Sequence, residues 1–202
     1  ADLAPPPRWN ELDPQRPIVV VTAHRRENHE YMRDMCLAMA DIAAGPEGAQ
    51  IYWPVHPSPR VAPVAHEVLD GVPGVVLVEP IDYAQIVYAI RGCSFVLTDS
   101  GGIQEEAPCL GKPVLVMREE TERPEGLQAG TLELVGHDRA RILESARRLL
   151  NDRDHYAQMA RSVNPYGDGH ASERIVAWLL ARRRQGTYPD PFDPATAQPA
   201  PV

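Results

Sequence analysis

Phe95-Val96-Leu97-Thr98-Asp99-Ser100-Gly101-Gly102-Ile103-Gln104-Glu105-Glu106 is the stretch that decides the fold. The apolar run Phe95-Val96-Leu97 reads as a strand, and Ile103 to Leu110 reads as a helix. Ser100 and the two glycines therefore stand where a strand turns into a helix. At such a junction the unpaired backbone N–H groups and the positive end of the helix dipole favour an anion, phosphate above all. Glu105 and Glu106, a turn or so into the helix, are placed to accept hydrogen bonds from sugar hydroxyls. A phosphate cradle beside a hydroxyl-reading carboxylate suggests a nucleotide or a nucleotide-sugar.

Outward from this junction the chain alternates short apolar strands with helical segments. Ile18-Val19-Val20-Val21 is a continuous β-branched run, as expected of a strand buried on both faces. Ile51-Tyr52-Trp53, Val75 to Val78, Val114 to Met117 and Thr131 to Val135 supply further strands. Helices are predicted over Tyr31 to Ala44, ended by Gly45-Pro46, then over Val61 to Leu69 and Tyr83 to Ile90. Beyond the last strand come helical segments at Arg139 to Leu150, Asp154 to Arg161 and Ala171 to Arg184. Strict alternation of this kind predicts an α/β fold, a doubly wound parallel sheet of Rossmann-like type. Such sheets bind ligands beyond the carboxyl ends of their strands, so the loops after Val21, Trp53, Val78, Leu97 and Met117 should line one site. Residues 1–16, with Pro5-Pro6-Pro7, read as a linker or arm. Residues 17–184 form the predicted domain, and 185–202, with five prolines, read as a frayed tail.

Composition narrows the partners. A formal net charge of -8 argues against a nucleic-acid surface, which would carry a basic footprint. Three cysteines, widely spaced in apolar settings, fit buried thiols in a reducing compartment better than a disulfide framework. With no membrane-length apolar run and no signal peptide, the expected location is the cytoplasm.

Several loops on the predicted binding edge carry polar groups. Thr22-Ala23-His24-Arg25-Arg26-Glu27-Asn28 places two arginines and a histidine where a diphosphate would lie, although the tripeptide alone fits a solvated basic turn equally well. Pro54-Val55-His56-Pro57-Ser58-Pro59 is a loop stiffened by proline that presents His56. Arg118 to Glu125 is dense in charge, with a helix start at Pro124-Glu125 and an arginine able to reach a nucleotide. Asn164 to Gly169 reads as a tight turn before the last helix. Two other motif readings fail. Asp99-Ser100-Gly101-Gly102 and Val21-Thr22-Ala23-His24 echo trypsin-like proteases, but those are all-β and disulfide-bonded. A metal site from His24, His29 and His56 matches no zinc spacing and would face Arg25-Arg26.

Taken in order, these segments resemble the non-hydrolysing UDP-N-acetylglucosamine 2-epimerases. The matching stretches are residues 22–28, 54–57, 97–108, 111–118, 121–125 and 164–169. They span the family's carboxyl-terminal half. The resemblance implies one Rossmann-like domain of a two-domain, GT-B-type enzyme, with the ligand in the cleft between domains. It also implies that Ser100, Gly101 and Gly102 hold the diphosphate of UDP, that Glu106 holds the ribose hydroxyls, and that Arg123 is a further UDP contact. His24 would be catalytic, beside the diphosphate and sugar. Arg25 and His56 match positions of a second, regulatory UDP-N-acetylglucosamine site. Ile86 stands where some relatives have an aromatic residue near the uracil, and Ser58 where many have Asn.

The implied reaction interconverts UDP-GlcNAc and UDP-ManNAc by elimination and re-addition of UDP, with no metal or other cofactor. An amino-terminal domain, absent from this chain, would carry most of the carboxylates that move the C2 proton, and the full-length enzyme would be a homodimer. The other readings are a UDP-sugar domain of a GT-B glycosyltransferase and a non-catalytic UDP-sugar sensor.

Overall fold

The computed structural model describes residues 3–161 and 165–193. Asn164, the first residue of the turn before the last helix, lies outside them, as do residues 194–202 of the tail.

Six parallel strands form one sheet: β1 (Ile18–Thr22), β2 (Gln50–Pro54), β3 (Val75–Val78), β4 (Phe95–Thr98), β5 (Val114–Val116) and β6 (Leu132–Leu134), in the order β3-β2-β1-β4-β5-β6. The helices are α1 (Met32–Ala44), α2 (Ala62–Leu69), α3 (Tyr83–Gly92), α4 (Gly101–Cys109), α5 (Pro124–Ala129), α6 (Arg139–Asn151), α7 (Arg153–Arg161) and α8 (Ala171–Arg182). This is a doubly wound parallel sheet, as expected from the alternation in the sequence. Its direction of winding reverses between β1 and β4, which pair in register from Val19↔Phe95 to Thr22↔Thr98. That reversal opens a crevice at the carboxyl ends of the two strands.

Period-two packing explains the unbroken β-branched runs. Val19 and Val21 point into one core with Trp53, Phe95, Leu97 and Leu115, covered by α1, α2, α6 and α7. Ile18 and Val20 point the other way, with Tyr52, Val96, Val114 and Val116, covered by α3, α4 and the chain before β1. Both faces are buried, so the central strand positions, Val19 to Val21, Ile51 to Trp53 and Phe95 to Leu97 among them, are apolar.

The residues before β1 form an arm laid along the second face. Trp9 meets Tyr52 edge-on at 5.0 Å and Tyr88 at 5.9 Å, and Leu12 is buried. Asp13 and Gln50 exchange two hydrogen bonds of 2.9 Å, and the Tyr52 hydroxyl donates to Pro7 O. Residues 185–193 of the tail carry aromatic side chains with partners on α8. Tyr188 packs edge-on against Trp178 at 6.3 Å, and Phe192 lies under the Arg174 guanidinium at 5.7 Å. Aromatic groups among the prolines give this segment something to pack with, which proline content alone conceals.

Candidate functional site

The site is built around the start of α4. Sequence periodicity places that helix from Ile103, but it begins at Gly101, so both glycines belong to its first turn. Ser100 is the N-cap residue by backbone (φ -82°, ψ 128°), yet its side chain caps nothing. The first N–H groups of α4 are thus left for an external acceptor, with the helix dipole behind them. Thr98 holds this turn from below: its hydroxyl accepts from Ser100 N at 2.9 Å and pairs with the Thr22 hydroxyl at 2.5 Å.

Asp99 fixes the neighbouring loop. It is fully buried and accepts from His24 N, from Arg25 N at 2.8 Å and from Asn28 Nδ2 at 3.0 Å. The other hydrogen of the Asn28 amide goes to Met117 O at 3.0 Å. One carboxylate therefore sets the path of the chain after β1, and one amide ties that loop to the end of β5. These buried bonds are strong because the acceptor is ionic and shielded from water.

The result is a ring of cationic groups at the helix end. A Cβ built on Gly101 would lie 3.4 Å from Arg25 Nη2 and 3.8 Å from Arg123 Nη2, so both guanidinium groups flank the first turn of α4. Arg123 is steadied by an ion pair from its Nε to Glu105. Its backbone N–H donates to Thr121 Oγ1, and the Thr121 hydroxyl donates to Gln104 Oε1 at 2.5 Å. Backbone donors and two arginines converging on one helix N-terminus have the chemistry suited to an anion such as a diphosphate.

Beside this cradle lies a cleft of about 440 Å³, walled by Thr22, Ala23, His24, Pro54, His56, Pro57, Pro80, Ile81, Asp82, Tyr83, Ile86, Ser100 and Ile103. These residues come from the ends of β1, β2, β3 and β4, as the topology requires. His24 lies 3.7 Å from Asp99 through Nδ1, and its ring stacks on His56 at 5.5 Å with 25° between planes. Ile81, Ile86, Ile103 and the exposed ring of Tyr83 form an apolar wall suited to a base. A capping box between Asp82 and Gln85 fixes the start of α3 and so the position of that wall. Glu106 stands one turn beyond Gly102, with Oε2 buried and without a hydrogen-bond partner among the described residues. Burial, and then the nearby Glu105, push its carboxyl above the ordinary range.

The fold thus gathers the residues picked from the sequence, with one regrouping. His24, His56, Ile86 and Ser100 wall the cleft. Gly101, Gly102, Arg25 and Arg123 surround the same helix end, and Glu106 follows in the next turn. Arg25, grouped with His56 by resemblance, has its guanidinium at the start of α4. Sequence reading passed over Asp99 and Asn28 as loop-setting groups, and Tyr83 as part of the wall. A lone acid at the end of an apolar strand was the available signal for Asp99.

Comparison with known proteins agrees with this geometry. The family model described as UDP-N-acetylglucosamine 2-epimerase matches residues 4–180. The chain is 47% identical over 173 residues to a UDP-N-acetylglucosamine 2-epimerase of Escherichia coli K12, covering 85% of this chain and 46% of that protein. Among solved structures, the UDP-GlcNAc 2-epimerase of Neisseria meningitidis bound to UDP-GlcNAc superposes with a TM-score of 0.82 at 41% identity, covering 87% of this chain and 47% of the other. The Staphylococcus aureus MnaA–UDP structure gives 0.83 at 39% identity, covering 88% and 49%. The chain spans about half the length of the relatives it matches. With a family match over most of its length and a Rossmann-like sheet, the chain belongs to the UDP-N-acetylglucosamine 2-epimerase family.

Proposed function

We propose that this chain is the nucleotide-gripping half of an enzyme that interconverts UDP-GlcNAc and UDP-ManNAc. The observation that carries the reading is the convergence of Arg25, Arg123 and the uncapped start of α4 on one point. The uracil lies against Ile81, Ile86 and Tyr83, the ribose hydroxyls donate to Glu106, and the diphosphate sits over Gly101 and Gly102. UDP and UDP-GlcNAc are the ligands named for the S. aureus and N. meningitidis structures.

In this reaction UDP leaves C1 as the proton leaves C2, and it returns after the C2 proton is restored on the opposite face. Negative charge builds on the departing diphosphate. Preorganised N–H groups and guanidinium groups stabilise it without having to reorganise, which lowers the barrier to C–O cleavage in both directions. His24, held by Asp99 through its backbone and open to the cleft, faces the bridge between diphosphate and sugar. The groups that move the C2 proton come from the part of the relatives' length that this chain does not span.

The isolated chain accordingly binds UDP but turns over no UDP-GlcNAc. Proton NMR of UDP-GlcNAc incubated with the chain alone, and with a protein joining it to an amino-terminal half, reads both statements. A C2 epimer formed only by the joined protein supports the proposal. Turnover by the chain alone contradicts the division of labour, and a glycoside product points to a glycosyltransferase instead.

A further inference from the structure

We propose that Arg118 is a positioning residue that couples the two arginine-bearing walls of the cradle, so that Arg25 and Arg123 act on a nucleoside diphosphate as one unit. The proposal rests on the nucleotide reading above.

Arg118 follows β5 and is only 6% exposed. Its Nε donates to Glu27 Oε1 at 2.6 Å, and its Nη1 and Nη2 donate to Glu122 Oε2 and Oε1 at 2.5 and 2.9 Å. Glu27 lies two residues past Arg25, in the loop after β1. Glu122 immediately precedes Arg123, in the loop after β5. A single buried guanidinium thus clasps one carboxylate from each wall. The side-chain hydrogen bonds of Arg118 go to Glu27 and Glu122, so its effect passes through these two loops.

Stability alone is a poor reason for such a group. Burying a cation costs several kcal/mol, and paired charges recover that only in part. What a bidentate, planar clasp supplies is geometry. One further bond locks the same pair of loops, Asn28 Nδ2 to Met117 O, next to Arg118, while Thr121 Oγ1 ties the second loop to Gln104 on α4. The charges also alternate across the clasp. Glu27 and Glu122 neutralise Arg118, and Glu105 pairs with Arg123, so both of these arginines are matched by carboxylates. Removal of Arg118 leaves Glu27 and Glu122 facing each other beside the diphosphate site, so both loops should relax away.

Two measurements on the chain test this. Calorimetric titration with UDP compares the parent with Arg118→Met, Arg25→Ala, Arg123→Ala and the doubles. Arg118→Met is expected to weaken UDP by about tenfold or more, with Arg118→Lys recovering part of the loss. In the Arg118→Met background, Arg25→Ala and Arg123→Ala should each cost about twofold or less, against about tenfold in the parent. Fully additive losses, or parent-like affinity in Arg118→Met, overturn the proposal. Should Arg118→Met fail to fold, Glu122→Gln opens the same clasp at a carboxylate whose side chain is 55% exposed, and the same non-additivity is read there. Amide hydrogen exchange without nucleotide separates this proposal from the functional one. Faster exchange in both 24–28 and 119–123 is expected in Arg118→Met, and unchanged exchange in the two loops overturns the clasp whether or not UDP binds.

Discussion

The Asp99 carboxylate accepts the backbone N–H of Arg25 at 2.8 Å and shares no surface with solvent. This bond joins the turn that starts α4 to the loop that delivers an arginine to it. The two halves of the anion cradle, 75 residues apart at His24 and Asp99, are therefore placed by one side chain. Asp99→Ala leaves the N–H groups of His24 and Arg25 and the Asn28 amide short of an acceptor. Each such loss costs about 1–3 kcal/mol, so urea denaturation should show a destabilisation of about 3 kcal/mol or more. Asp99→Asn, which keeps one acceptor oxygen, should lose less. Equal stability of Asp99→Ala and the parent would contradict the role assigned to this carboxylate.

The clasp at Arg118 makes a prediction in acid. The Arg118 side chain, and after it a hydrogen bond from the backbone of Glu122 itself, holds the Glu122 carboxyl down at about 2, against an ordinary 4.5. A carboxyl with a lowered folded-state pKa contributes stability above its unfolded value and loses it as pH falls through the folded one. The contribution of Glu122 is thus fully present above about pH 4.5 and gone near pH 2. Thermal midpoints of the parent and Glu122→Gln should differ at neutral pH and converge as pH falls across that window. A difference that stays constant across it would rule out the ion pair as its source.

How much of this was legible in the sequence depends on the kind of interaction. The doubly wound parallel sheet followed from alternation, because a strand buried on both faces reads as an apolar run, as Val19 to Val21 do. The turn from β4 into α4 was legible because glycines at a strand–helix junction have a direct physical meaning. Ion pairing was not. Arg118 sits in the charge run Arg118 to Glu125, and nothing in a one-dimensional pattern says that this arginine turns inward while Glu119 and Glu120 face water. The packing of the arm was not legible for a similar reason: Trp9 meets Tyr52 and Tyr88, and Leu12 is buried, without any periodicity of their own.

The three cysteines should separate by reactivity. Burial pushes the Cys36 and Cys93 thiols up to about 12, whereas Cys109 is exposed at the far end of α4 from the cradle. Only the thiolate reacts, so a chromogenic disulfide should titrate one thiol rapidly in the native chain and all three in urea. UDP binding should survive labelling of Cys109. Rapid reaction of two or more thiols in the native chain would contradict the buried placement of Cys36 and Cys93.

The arm should contribute measurable stability. A Cβ on Gly92 would meet Trp9 Cζ2 at 2.7 Å, so Gly92→Ala displaces the indole from its seat beside α3. Trp9→Ala removes two edge-on aromatic contacts, each contributing about 0.5–1.5 kcal/mol beyond area burial. Both variants should lower the thermal midpoint, and combining them should cost little more than the larger single loss. Additive losses would show that the two residues act independently.

The central claim is that a nucleoside diphosphate sits over the start of α4 between Arg25 and Arg123. Gly101→Ala tests it most directly. Its new Cβ makes ordinary contacts of 3.4 and 3.8 Å with the two guanidinium groups, so the fold tolerates it, but it occupies the space a phosphate needs. Calorimetry of UDP against parent and variant, with uridine as the control lacking phosphate, is the measurement. The account predicts UDP binding by the parent, a loss of about tenfold or more in Gly101→Ala at an unchanged thermal midpoint, and weak uridine binding equal in both. No UDP binding by the parent at millimolar concentration, or equal UDP affinity in parent and variant, would contradict it.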